Sequence, residues 1–229
     1  MVFRAGSGAM LCDVEFIDRK SREMYDARYI DIQNHLRIPE RLESFKLANG
    51  LEYTARSPSE YRIDYVGVHD TEMHLDFKGI HEPYDIHDPD IDPMAQRDAG
   101  QAVQHSGFGS AYANHFDLTM KATGTVRVRG KDYKINCLAT NDHSWGPRAE
   151  RGMRQMAYMN AHFDEDYVVQ TIWEFNGSRP DGQQHTFKHG YAIVDGKLLG
   201  AVAGSLKVKH NGMFPDTVEL SMTDVSGTV

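Results

Sequence analysis

The sequence predicts an all-β chain with antiparallel strands. Three observations carry that reading: apolar and polar residues alternate with a period of two over most of the length, glycine-containing turn dipeptides separate the runs, and 20 glycines stand beside 10 phenylalanines and 11 tyrosines. Tight turns join antiparallel neighbours, so a meandering sheet or barrel follows and a parallel α/β sheet is disfavoured.

Taken in order, Tyr61, Ile63 and Tyr65 alternate with Arg62 and Asp64, and Met73, Leu75 and Phe77 alternate with Glu72, His74 and Asp76. Each run reads as a strand with one buried face. From His81 to Pro93, three prolines and a series of acidic residues break the rhythm; prolines cannot donate to a ladder, so this stretch reads as loop, and Met94 to Gln104 is expected to form one short helix. Alternation resumes with Phe116, Leu118, Met120 and Ala122, passes through Val126 and Val128, and continues over Tyr133, Ile135 and Cys137. Tyr167, Val169, Thr171, Trp173 and Phe175 share one face of a later run, and Val218, Leu220 and Met222 share one face of the last. Asp195-Gly196 and Asn211-Gly212 supply the positive φ angles of tight hairpins, with Arg129-Gly130 and Asn49-Gly50 as weaker versions. Residues 1–80 are thus expected to form a first β subdomain, 81–110 a linker loop and helix, and 111–229 a second β subdomain. Ser226-Gly227 reads as a turn and Thr228-Val229 as the start of another strand, so the second subdomain is expected to be cut short.

A chain of 229 residues can bury a core without disulfides. Its 33 acidic and 25 basic residues leave a net charge of −8, which gives no footprint for nucleic acid or an anionic membrane. No apolar run reaches the length of a membrane span and no signal-peptide core precedes the first strand. Two cysteines, Cys12 and Cys137, without CxxC spacing, suit a reduced, cytoplasmic setting.

The chemistry concentrates in Asn141-Asp142-His143-Ser144-Trp145-Gly146-Pro147-Arg148, where a carboxylate, an imidazole, an indole and a guanidinium fall close together. On a strand, Asp142 and Ser144 face one way and His143 and Trp145 the other. This heptad from Asp142 to Arg148, with Thr123-Gly124-Thr125-Val126, Gly130 and Tyr133 before it, resembles the signature of the hydroxyneurosporene synthase (carotenoid hydratase) and AttH-like superfamily of lipocalin-like proteins. Asn49-Gly50-Leu51-Glu52-Tyr53 and the run Ser57 to Ile63 resemble the end of the first domain in uncharacterised bacterial members.

The resemblance implies two lipocalin-like β-barrels, the first of them incomplete here. It also implies hydration of an alkene or acid-initiated cyclisation of an isoprenoid chain. Protonating an alkene needs a carboxylic acid kept protonated by burial and an aromatic face for the cation. Asp142 is then the candidate acid, Trp145 the aromatic wall, His143 a group that orients a neighbour or activates water, and Arg148 a holder of a polar substrate end. His115, before the Gly-Thr strand, and Tyr158 and Trp173, in aromatic and methionine stripes, are candidate pocket residues. The same turn also reads as architecture, with Asp142 capping backbone amides or pairing with Arg148 and Trp145 plugging a barrel end.

Other patterns carry less. Glu82, Asp85, His87, Asp88, Asp90 and Asp92 offer oxygen ligands but lack the glycine and glutamate of a calcium loop, so a solvated acidic loop is favoured and no metal site is assigned. His162, His185 and His189 are read as surface or hydrogen-bonded histidines rather than a metal triad. No nucleotide loop or serine elbow is present. The expected function is therefore cofactor-independent acid–base chemistry of the hydratase, isomerase or cyclase type on a hydrophobic isoprenoid, aromatic or lipid-like small molecule. The alternative is a non-catalytic carrier of such a ligand. An exposed sheet edge offers a route to homo-oligomers.

Overall fold

The computed structural model of the chain describes residues 1–18, 26–95, 113–147, 155–211 and 214–227. Those residues form fifteen strands in antiparallel sheets, one curled into a half-barrel, and the chain is all-β and lipocalin-like in class. The expected helix from Met94 lies largely outside the described residues, where only Met94 and Ala95 are seen, in a turn and bend; the expected strand from Thr228 lies outside them altogether. Among the described residues no helix is long and apolar enough to cross a membrane. Cys12 is buried, Cys137 is exposed, and both are free.

The chain divides into two compact units, Met1–Gly79 with Met120–Cys137, and Ile80–Thr119 with Leu138–Val229. Residues 120–137, expected in the second subdomain, cluster with the first unit. The expected boundaries assumed that each strand serves one subdomain, whereas β9 (Asn114–Val128) and β10 (Lys131–Trp145) each contribute to both.

In unit 1, β1 (Val2–Arg4), β2 (Ala9–Phe16) and β3 (Tyr29–Arg37) form one sheet in that order. A second runs from β4 (Ser44–Lys46) through β5 (Leu51–Ser57), β6 (Glu60–Val66) and β7 (Glu72–Gly79) to β9 and β10. Met10, Cys12, Val14, Tyr29, Leu47, Leu51 and Tyr65 make its core, as the alternation of β6 requires. The hydroxyls of Tyr29 and Tyr65 meet at 2.5 Å, and Tyr65 donates to Asp31 at 2.8 Å. Arg129 and Gly130, at φ 50 and 79, close the β9–β10 hairpin as a primed turn.

Gly124 of the Gly-Thr motif sits opposite Leu75 at φ 141, where a Cβ would stand 2.0 Å from the His74 carbonyl oxygen. Its role is close approach of two strands. Gly124→Ala is expected to destabilise the protein by about 2 kcal/mol or more in denaturant unfolding, and Gly6→Ala, with open space around it, by about 0.5 kcal/mol or less.

In unit 2, β8 (Tyr84–Asp85) pairs with β9, setting Tyr84 opposite Asp117 and Asp85 opposite Phe116. A five-stranded sheet runs in sequence order through β11 (Gln155–His162), β12 (Tyr167–Phe175), β13 (His185–Val194), β14 (Lys197–Asn211) and β15 (Phe214–Asp224). Asp195 and Gly196, at φ 51 and 70, make the expected primed turn between β13 and β14. Tyr84, Ile86, Val168, Ile172, Tyr191 and Ile193 form one core, and Val169, Ala192, Ala201 and Met222, with Phe187 against them, form another.

Candidate functional site

Strand alternation puts His115, Asp117 and Thr119 on one face of β9, and all three are buried. The β8 register adds Tyr84 to that face. Across unit 2, Tyr158, Ile172 and His189 are register partners in one row and Gln170 and Tyr191 in the next, so these five side chains also share a face. The polar members find one another. His115 Nε2 and Asp117 Oδ2 are hydrogen-bonded at 3.0 Å, and Gln170 Nε2 donates to the same oxygen at 2.9 Å. Thr119 and Tyr191 join hydroxyls at 2.8 Å.

His115 Nδ1 lies 3.9 Å from Asp142 Oδ1; the His115 side chain is 1% exposed and that of Asp142 41%. The His115 ring lies nearly parallel to that of Tyr158, with planes 23° apart and centroids at 6.3 Å. Burial, the strongest single influence on His115, pushes its pKa down. The Asp117 hydrogen bond and the charges of Asp117, Asp142 and Asp85 together outweigh it, and the ring is held above its ordinary value. Asp117 Oδ1 and Gln170 Oε1 are buried acceptors with no hydrogen-bond partner among the described residues. Bare buried acceptors are costly, and neighbouring ones mark a place for a donor brought from outside the protein.

A second buried pair stands in the same unit. His189 Nδ1 meets Asp92 Oδ2 at 2.6 Å, with side chains 4% and 0% exposed, and Asp92 Oδ1 accepts the Met94 N–H at 2.7 Å. The acidic loop is thus not simply solvated. Asp85 and Asp88 likewise spend an oxygen each on the backbone N–H of His87 and Asp90. His162, His185 and His189 form no triad: His189 bonds Asp92, His162 bonds Thr140 at 3.0 Å, and His185 lies against the Phe175 ring.

His115, Asp117 and Asp142 come within 4.8 Å of one another, a spacing a divalent cation accepts. For all three to ligate one ion, however, the His115–Asp117 hydrogen bond would have to break, because the two ring nitrogens point apart. In the structure a carboxylate holds one ring nitrogen at 3.0 Å and a second carboxylate lies 3.9 Å from the other, a geometry in which an imidazole can take up or give a proton.

The expected site residues are divided by this geometry. Asp142 and Tyr158 join His115. His143 and Trp145 lie on the other face of β10 with Phe116, their rings at 5.1 and 6.3 Å from the Phe116 ring, and Trp145 is 49% exposed. Burial, with the nearby His115 charge adding to it and Asp142 opposing, lowers the His143 pKa. Trp145 therefore stands on the opposite face of β10 from Asp142, and the burial expected of Asp142 falls on Asp117. Trp173 is fully buried but sits on the opposite face of β12 from Gln170, edge-on to Phe187. Arg148 lies outside the described residues. Sequence reasoning missed Asp117 and Gln170; His115, Asp117 and Thr119 fall at every second position of β9, but their burial is seen only in the structure.

A family model described as a domain of unknown function (DUF7064) matches residues 19–229. Comparison with curated proteins and with solved structures gives no match.

Proposed function

The chain belongs to the family described as a domain of unknown function (DUF7064), and we propose that in this member the His115–Asp117–Asp142 centre makes unit 2 an acid–base enzyme of the hydratase, isomerase or cyclase type. One observation carries the reading: two buried acceptors, Asp117 Oδ1 and Gln170 Oε1, stand bare beside an imidazole that a carboxylate orients. They suit the hydrogens of a water molecule or a substrate hydroxyl. Tyr84, Ile86, Val168, Ile172 and Tyr191 pack into an apolar core in the same unit, and an isoprenoid, aromatic or lipid-like compound is the substrate class that suits apolar surroundings. The resemblance of the Asp142 to Arg148 heptad to carotenoid hydratases supports the same class.

His115 and Asp142 share and deliver the proton; Asp117, tied to Gln170, keeps the ring oriented. Water activation passes from His143 to this dyad, since His143 faces away. An imidazole–carboxylate pair is a modest acid, better matched to a double bond polarised by oxygen than to an isolated alkene. The chemistry needs no redox step, so no cofactor enters the proposal. A reduced, cytoplasmic setting and self-association through an outer strand such as β15 remain part of it.

Small molecules released from the purified protein and identified by mass spectrometry supply the substrate. Asp142→Asn is expected to keep the ligand and the melting temperature, its side chain being half-exposed, and to lose conversion by about a hundredfold or more. Retention of ligand with no conversion by either form would make the protein a carrier.

A further inference from the structure

We propose that the chain pairs with a second copy of itself along the open edge of β10, in an antiparallel register centred on Tyr133. The inference rests on the self-association proposed above, names a strand and a register for it, and does not depend on the acid–base chemistry.

Among the described residues β10 ends the seven-stranded sheet and is paired on one side only, with β9. Its stretch 131–137 lies wholly in unit 1 and is exposed apart from half-buried Ile135, with Tyr133 42% exposed. An open edge of this kind is a template for another strand.

The turn decides which backbone groups that edge offers. A two-residue hairpin makes its flanking residues, here Val128 and Lys131, a hydrogen-bonded pair. Lys131, Tyr133 and Ile135 therefore turn their N–H and C=O groups toward β9, and those of Asp132, Lys134 and Asn136 point to the open edge. The ion pair of Arg127 with Asp132 at 2.7 Å fits the same register, which sets these two residues opposite each other on one face.

Centring a two-fold pairing on Tyr133 places Asp132 of each copy opposite Lys134 of the other. Both are residues whose backbone groups point outward, so each such pair exchanges both of its ladder hydrogen bonds. The two tyrosines then face each other as a non-hydrogen-bonded pair, with Cα atoms about 4.5 Å apart. Side-chain charge selects this register. Lysines on an edge ordinarily discourage pairing, but here each Lys134 meets a carboxylate, and Lys134 has no ion pair of its own among the described residues. Symmetry about Lys134 would set two lysines against each other, symmetry about Asp132 two carboxylates, and symmetry about Ile135 would pair Lys134 with Asn136 and forfeit the opposite charges. β15, by comparison, has no lysine or arginine to set against Asp216, Glu219 and Asp224.

Sedimentation velocity of the full chain at rising concentration, with cysteine cross-linking, tests this. The native protein should form a dimer that weakens as salt is added. Lys134→Asp should weaken it by about tenfold or more, and combining it with Asp132→Lys, which exchanges the two charges, should restore it. In a Cys137→Ser background, Tyr133→Cys should oxidise to a disulfide-linked dimer, since the Cα separation suits a disulfide, and Lys131→Cys, which faces Ile135 rather than itself, should not. The substituted side chains are exposed, so the charge variants keep the test alive if one cysteine variant fails to fold. A monomer at every concentration would overturn both this inference and the self-association it rests on. A dimer indifferent to Lys134→Asp and not cross-linked at 133 would overturn the β10 edge alone and leave association to another strand. No turnover is measured, so the acid–base reading stands or falls by its own test.

Discussion

Asp117→Asn should reduce turnover at the centre by about a thousandfold or more, while the protein stays folded at neutral pH. Asparagine has the same shape, and Gln170 can still reach its oxygen. That oxygen is the one His115 Nε2 also bonds, but a neutral amide oxygen lacks the negative charge with which the carboxylate holds the proton on the ring. The pH dependence of stability should change sign with it. In the native protein the His115 pKa is raised, so its contribution to stability is complete below the ordinary histidine value and is lost as pH rises through the raised one. In the variant burial acts with far less opposition and the pKa falls below the ordinary value, so stability drops as pH falls. Thermal melts of both forms should therefore diverge between about pH 8 and about pH 5. A constant difference in melting temperature across that range would mean that Asp117 does not hold the proton on His115.

Trp173→Ala should cost about 3–5 kcal/mol of stability, the largest effect expected from a single side chain in unit 2. The indole is 0% exposed, meets the Phe187 ring edge-on at 5.3 Å, and donates from Nε1 to Thr171 Oγ1 at 2.8 Å. Gly204 packs against it so closely that a Cβ there would lie 2.9 Å from the ring. Truncation opens a cavity that such a packed site cannot collapse, and leaves a buried hydroxyl without its donor. Trp173→Phe keeps most of the volume and should cost less than half as much. At temperatures where the alanine variant is folded, chemistry at His115 should be little changed, since Trp173 lies on the far face of β12. Loss of turnover without loss of stability would return Trp173 to the pocket.

The all-β class was legible because period-two alternation and the Asp195-Gly196 and Arg129-Gly130 turns are local signals, and a strand or a primed turn is decided over a few residues. The splitting of the Asp142 heptad between two faces was legible for the same reason. What the sequence could not show was which face is buried. The run Phe116, Leu118, Met120 and Ala122 marked an apolar face, and the alternate residues His115, Asp117 and Thr119 would ordinarily be taken as solvated. They are buried because partners about fifty or more residues downstream, Gln170 for Asp117 and Tyr191 for Thr119, satisfy them, and that pairing exists only once the sheet has formed. Asp92 follows the same logic: in an acidic loop it reads as solvent-exposed, and only His189, far along the chain, explains its burial. Strands that serve both units hid the subdomain boundary, since nothing in β9 or β10 breaks the alternation where one unit gives way to the other.

The most direct test of the proton-transfer centre is incorporation of solvent deuterium. Hydration, isomerisation and cyclisation alike place a solvent-derived proton on carbon, so the protein incubated in heavy water with an isoprenoid-containing lipid extract should label a hydrophobic compound, detected as a mass increase. The native protein should label it, and Asp117→Asn and His115→Gln should not. Equal labelling by all three forms, or none by the native protein, would contradict an acid–base role for this site.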